Sequence, residues 1–284
     1  MRKNKLTLTS LLVPLIVCAL VISSASEVMV TKAQNPYVGG YYSEKVRTTL
    51  SVYMVSYIMV DASKIPEGNR VETLLTVAGG YRSGSNVYAS GYIYQAAWEV
   101  LSGGRYIMVV NVWYKDNVKI IRGEEYRGSP FEVAMYVYMK ESSVLFVFEA
   151  DGDTVWTYRV NKSLLGIHDE FFLVGSEKVG NTKIKFMQFG TEAVQKPLNI
   201  PWHVYQYQIY YYDTTSGYTW GTAYSTQGTT SYIIPYYVIG GATYRGVDYK
   251  YYPSDYCYDM GTLEWYWKGG DYILPSDTYL FPGP

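Results

Sequence analysis

The sequence predicts an all-β protein, an antiparallel β-sandwich or jelly roll. Two observations carry this. Short runs of alternating apolar and polar residues follow one another at intervals of about 8–15 residues, separated by Gly and Ser turns. No stretch sustains a 3.6-residue apolar period, apart from one short candidate helix at Lys162 to Ile167.

The elements follow in order. Leu50 to Val60 alternates and is rich in Val, Tyr, Met and Ile, and Val71 to Val77 is a shorter run. Tyr88 to Leu101 and Arg105 to Tyr114 are joined by Ser102-Gly103-Gly104, a hairpin-type connection. Val118 to Ile121 is short, and Phe131 to Met139 alternates strongly. Lys140 to Ser143 turns the chain into Val144 to Ala150. Asp151-Gly152, favoured in tight two-residue turns, leads on to Thr154 to Val160. Phe171 to Val174 and Lys183 to Phe189 complete this set.

The composition shifts near Pro197 to Pro201. The last 84 residues hold 19 tyrosines but only 3 basic and 7 acidic residues. Strand-like pieces continue at Tyr205 to Tyr212, Tyr218 to Tyr224, Tyr232 to Ile239, Tyr249 to Tyr252 and Leu263 to Trp267. The expected organisation is a β-sandwich over residues 27–197 and a tyrosine-rich β extension over 198–284. That extension is either extra strands on the sandwich or a small second domain.

Composition excludes several function classes. A net charge of −1 leaves no electrostatic footprint for nucleic acid. Two histidines and two cysteines build neither a zinc ribbon nor a disulfide framework. An aromatic share of 17% is wrong for a disordered chain. No cofactor and no metal are expected. Tyrosine combines aromatic area with a hydroxyl that stays neutral below about pH 9, so its surface chemistry survives in acid, where carboxylate pairs are lost. In style the composition resembles that of an archaeal-type surface protein, secreted in a hot, acidic habitat.

The N-terminus reads as a secretory signal peptide over residues 1–26. Arg2, Lys3 and Lys5 precede the apolar run Leu11 to Ile22, and small residues follow at Ser23 to Ser26. Read this way, the mature chain is extracellular or at the cell surface, with no further membrane-spanning run. Cys257 then remains alone, either packed or in an intermolecular bridge. Asn161-Lys162-Ser163 is a glycosylation sequon, placing Asn161 on a surface loop.

Residues 85–190 resemble the glutamic peptidases (eqolisins), which implies a concanavalin-like jelly roll. Ser90 to Trp98 is similar to that family's strand carrying a catalytic glutamine, which falls at Gln95. Val110 to Asp116 resembles its A-W-Y-E-W-Y-P-D strand, and Asp169 to Val174 its A-E-W-I-V-E strand. The family's glutamate falls at Val112, or at Asn111 in a register shifted by one, and its proline at Lys115. The resemblance implies a carboxylate that activates water and a glutamine that stabilises the oxyanion. On this chain Glu99 or Glu170 would have to stand in as that carboxylate.

Other candidates follow from spacing. Glu99 lies on the same strand face as Gln95, about 13 Å away, and is otherwise a solvated strand end. Glu132 and Glu149 should approach across a hairpin, as glycoside hydrolysis requires, or simply point outward. Glu149, Asp151 and Asp153 resemble part of a calcium loop without its glutamate at loop position 12, so a plain turn is the better account. His168 and His203 have no nucleophile-activating motif. Trp98, Trp113 and Trp156 are expected in the core. Trp202, Trp220, Trp265, Trp267, Tyr236 and Tyr237 are either core residues or an aromatic surface that stacks on sugar rings or a partner.

Three functions follow from these residues. The first is a non-catalytic module that binds glycan or peptide through aromatic residues. The second is an acid endopeptidase using Gln95. The third is a surface-layer or filament subunit that self-associates through strand edges, with Tyr37 to Tyr42 as a donor strand.

Overall fold

The computed structural model describes residues 37–43, 47–114, 117–174, 178–179, 182–183, 189–194, 200–213, 219–220, 232–234, 237–239, 242–246, 248–252 and 262–267. The strands are β1 (Tyr37–Ser43), β2 (Arg47–Val60), β3 (Arg70–Ser83), β4 (Asn86–Leu101), β5 (Arg105–Tyr114), β6 (Asn117–Tyr126), β7 (Val133–Met139), β8 (Ser143–Ala150), β9 (Asp153–Asn161) and β10 (Phe171–Val174). A small hairpin follows, β11 (Lys178–Val179) with β12 (Thr182–Lys183), and then β13 (Phe189–Val194) and β14 (Trp202–Asp213). The remainder are β15 (Thr219–Trp220), β16 (Tyr232–Ile234), β17 (Tyr237–Ile239), β18 (Ala242–Gly246), β19 (Asp248–Tyr252) and β20 (Thr262–Trp267).

Pairing arranges these strands as an antiparallel jelly-roll β-sandwich. One sheet runs β6-β5-β4-β3, and β13 and β10 share the far side of β3. The other runs β9-β8-β7-β2-β14-β20-β19. Strand β10 also pairs with β2 and so joins the two sheets at one corner. Strand β1 pairs with β13, β16 and β18 of its own chain, so this segment is not a free donor strand. Of Lys183 to Phe189, expected as one strand, Lys183 ends β12 and Phe189 begins β13, and residues 184–188 lie outside the described residues.

The inward residues alternate as strand geometry requires. Tyr94 and Trp98 of β4, Phe146 and Phe148 of β8, and Val52 and Met54 of β2 share one core cluster. Trp98 packs edge-on against Phe148 at 6.0 Å, and its indole N–H donates to the Ala134 carbonyl of the opposite sheet at 3.1 Å. Trp202, Val204, Ile209, Tyr211, Leu263, Trp265 and Trp267 belong to the same cluster, so β14 and β20 add to the sandwich's own core.

The turns match their sequence. Asp151 and Gly152 have φ of 52° and 85°, the mirror-image geometry of a two-residue hairpin. The short helix is a single turn, Lys162–Leu165, closed by left-handed Gly166. Asn161 is exposed and caps that turn, its side-chain oxygen accepting from the Ser163 N–H at 3.0 Å.

Gly79 and Gly80 let the chain entering β10 lie tightly on β3. A Cβ at Gly79 would overlap the carboxylate of Asp169, which is buried and accepts from the Tyr94 hydroxyl. Gly79→Ala should therefore destabilise the fold by about 2 kcal/mol, whereas Gly68→Ala meets open space and strains only a left-handed backbone at φ 79°. Urea unfolding of the two variants checks the difference, and Gly79→Ala should be the weaker.

Candidate functional site

The peptidase constellation does not assemble. Gln95 faces outward from β4 in a polar ladder across three strands. Its Nε2 donates to Thr76 Oγ1 at 3.1 Å, and Asn111 Nδ2 donates to its Oε1 at 2.9 Å. Asn111 is Gln95's register partner, so an amide stands where the resemblance requires a glutamate. Glu170 lies near the far end of β3, accepting from the Arg82 N–H at 3.4 Å.

Glu99 is neither beside Gln95 nor solvated. It is buried, held by Arg122 at 2.9 Å and by Arg70 at 3.2 Å, and stands in register with Glu72. Arg70 also reaches Glu72 at 3.5 Å. Burial, partly offset by Arg70 and reinforced by Glu99, pushes the Glu72 carboxyl up to about 7. The pair is a charge cluster that ties β3, β4 and β6 together.

Three tryptophans proposed as ligand contacts are core residues. Trp202, Trp265 and Trp267 are 3%, 0% and 6% exposed. The Trp265 indole N–H donates to Gln206 Oε1 at 2.9 Å, and Gln206 Nε2 donates to Thr73 Oγ1 at 2.8 Å. A tryptophan committed to a buried amide has neither its ring nor its donor available to a ligand. The Trp220 side chain, the Tyr237 side chain, Tyr236, Cys257 and residues 1–26 lie outside the described residues and side chains. Trp98 is fully buried, as expected, while Trp113 and Trp156 are only half-buried.

A half-buried aromatic surface lies elsewhere, on the outer side of the β19-to-β9 sheet, while the exposed tyrosines Tyr81, Tyr88 and Tyr114 belong to the other sheet. Alternation that sends Val52 and Met54 inward sends Tyr53 and Tyr57 outward. Register then sets Tyr53 between Tyr136 of β7 and Tyr210 of β14, with Tyr57 beside Tyr205. The Tyr53 and Tyr210 rings lie 6.2 Å apart and 9° from parallel, and Tyr136 is 6.4 Å from Tyr53. Tyr138 extends the row 5.9 Å beyond Tyr136. Phe131, 67% exposed, lies 4.8 Å from Tyr57 at the rim.

A bulge makes this surface continuous. Gln208 has φ 49°, and the β2 register shifts between Tyr207 and Tyr210. The extra residue re-phases β14, so Tyr207 and Tyr210 both face outward while Ile209 is buried.

Carboxylates sit among these rings. Tyr207 donates to Glu132 Oε2 at 2.6 Å, Tyr53 to Glu149 Oε2 at 3.5 Å and Tyr252 to Glu264 Oε2 at 3.0 Å. Burial, then the charges of Glu149 and Glu132, push the Tyr53 hydroxyl up to about 12. Glu264 is also met by His203 at 2.9 Å and Lys250 at 3.8 Å. Burial alone would raise Glu264, but Tyr252, Lys250, His203 and Tyr205 outweigh it and hold the carboxyl below its usual range. Glu132 and Glu149 both lie on this outer surface, and the charges of both act on Tyr53. Asp151 is occupied in the turn, accepting from the N–H groups of Phe131 at 2.8 Å and Glu132 at 3.1 Å. Among the described residues no three His, Cys, Asp or Glu side chains gather to hold a metal. Nor is any described helix long and apolar enough to cross a membrane.

No protein-family model matches the chain, and no curated protein does. Among solved structures, it is similar to the enzymatically active domain of bacteriophage CBA120 tailspike protein 2 at 10% identity and TM-score 0.29, covering 57% of this chain and 23% of that one. It is similar to the catalytic domain of an endo-1,3-β-glucanase (laminarinase) from Thermotoga petrophila at 13% identity and TM-score 0.31, over 63% and 77% of the two chains. The CBM40 of a Ruminococcus gnavus sialidase, bound to α2,3-sialyllactose, matches at 9% identity and TM-score 0.26, over 55% and 85%. No glutamic peptidase is among these three, and at such scores none carries an argument about the site.

The Glu72 cluster yields a pH prediction. A carboxyl raised from 4.5 to about 7 binds its proton more tightly folded than unfolded, so its contribution is complete below about pH 4.5 and is lost as pH rises through about 7. Stability to urea should fall across that window, and Glu72→Gln should flatten the fall. An unchanged slope in the variant contradicts the assignment.

Proposed function

We propose that this protein is a non-catalytic glycan-binding module displayed outside the cell, binding through the outer tyrosine face of β14, β2 and β7. The observation that carries this reading is the half-buried row Tyr210–Tyr53–Tyr136–Tyr138, flanked by Tyr57, Tyr205 and Tyr207. Each ring offers an apolar face, and each hydroxyl a hydrogen bond, at little cost in side-chain entropy. Neighbouring strands repeat these rings 6.2–6.4 Å apart, of the order of one hexopyranose unit. The surrounding carboxylates and hydroxyls suit a ligand dense in O–H groups. Binding without catalysis is supported by Gln95, whose side chain is bonded to Thr76 and Asn111 rather than to a carboxylate.

The test is binding of a panel of β-linked hexasaccharides by titration calorimetry, with Tyr53→Ala and Tyr210→Ala. Central anchors should cost about tenfold or more in affinity each. Tyr81→Ala, on the other sheet, should leave binding unchanged. Loss of binding with Tyr81→Ala but not with Tyr53→Ala or Tyr210→Ala would overturn the placement.

A further inference from the structure

Charge on the tyrosine face is unevenly matched. On its β20 side the Glu264 carboxylate is answered by the Lys250 ammonium at 3.8 Å, with the His203 ring beside it. On its β7–β8 side Glu132 and Glu149 are met by the hydroxyls of Tyr207 and Tyr53, and neither forms an ion pair with a described residue. A tyrosine hydroxyl supplies a proton to share but no positive charge. Two carboxylates therefore project their field onto the central rings, in line with the raised Tyr53 hydroxyl.

The rings themselves take up cations. The Lys140 ammonium lies 5.4 Å from the Tyr138 ring centre, and the Lys250 ammonium 5.5 Å from that of Tyr266. A neutral sugar would use the ring faces and bring no positive charge to either carboxylate, which no described residue supplies. An acidic sugar would meet like charge.

We propose that the ligand of the tyrosine face is a glycan bearing protonated amino groups, an amino-sugar polymer whose ammonium groups pair with Glu132 and Glu149 while its ring faces stack on Tyr53, Tyr136 and Tyr210. This rests on the glycan-binding reading above and adds the sign of the ligand's charge. The carboxylates select the ammonium, and the tyrosines select the pyranose that carries it.

The experiment compares the β-1,4-linked glucosamine hexamer, its fully N-acetylated counterpart, cellohexaose and hexalysine by calorimetry at about pH 5.5, where amino-sugar amines and ordinary carboxylates are both charged. Wild type and Glu132→Gln/Glu149→Gln are measured in low and high salt. The glucosamine hexamer should bind about tenfold or more tighter than either neutral hexamer. The gap should narrow in high salt, as screening requires, and should collapse in the double variant. Equal binding of the three hexamers by wild type overturns the charge selection and leaves glycan binding standing. Binding of hexalysine alone, or of none of the four, overturns both. The wild-type comparison needs no variant, so misfolding of the double variant does not rescue the proposal.

Discussion

The molecule depends on strand β2. It pairs with β7 along one edge and with β14 along the other, and β10 reaches its first residues from the opposite sheet. Its inward side chains, Val52 and Met54, are wholly buried, while Tyr53 and Tyr57 stand on the outer surface. A one-residue slip would exchange these two sets, placing tyrosine hydroxyls in the core and aliphatic side chains in water. The register that closes the sandwich is thus the register that lays out the tyrosine face. Stability and site are set by one constraint.

The division of labour among aromatics follows from their polar atoms. Tryptophan brings a single N–H donor, and a buried acceptor satisfies it in two of the core rings: Trp98 has the Ala134 carbonyl and Trp265 has Gln206, while the buried Trp202 indole meets no acceptor among the described residues. Gln206 in turn reaches Thr73, which meets Ser56 at 2.9 Å, so one buried polar chain links β20, β14, β3 and β2. Tyrosine can accept as well as donate, and it serves on both sides: Tyr94 and Tyr211 are buried in the core. On the outer face, tyrosine hydroxyls are turned to Glu132, Glu149 and Glu264. Buried acids complement this design in acid. Burial raises both Glu72 and Asp169, so each favours the folded state most when protonated.

Much of the fold was legible because alternation is a local signal. The strand pairs around Asp151-Gly152 and around Ser102 to Gly104 needed only period-two patterning and turn residues. The site was legible in part. Tyr136-Val137-Tyr138 and Tyr205-Gln206-Tyr207 carry the pattern of an aromatic face, but tryptophan drew attention to the side of β14 and β20 that is buried in the core. Nothing in the sequence marks the Gln208 bulge, since glutamine has no preference for left-handed backbone, and without the bulge Tyr210 is phased inward. Glu72 and Glu99 lie 27 positions apart in sequence and meet only through the β3–β4 register, which no local pattern specifies. Gln95 was placed on the right strand, and its neighbour Asn111 settled what the amide does.

The most direct test of the tyrosine face is NMR of protein carrying ring-labelled tyrosine, titrated with the glucosamine hexamer to saturation. The rings of Tyr53, Tyr136 and Tyr210 should shift together along one saturating curve, while those of Tyr81 and Tyr88 on the other sheet stay fixed. Shifts confined to Tyr81 and Tyr88, or no ring shift under conditions where calorimetry shows binding, would contradict the account.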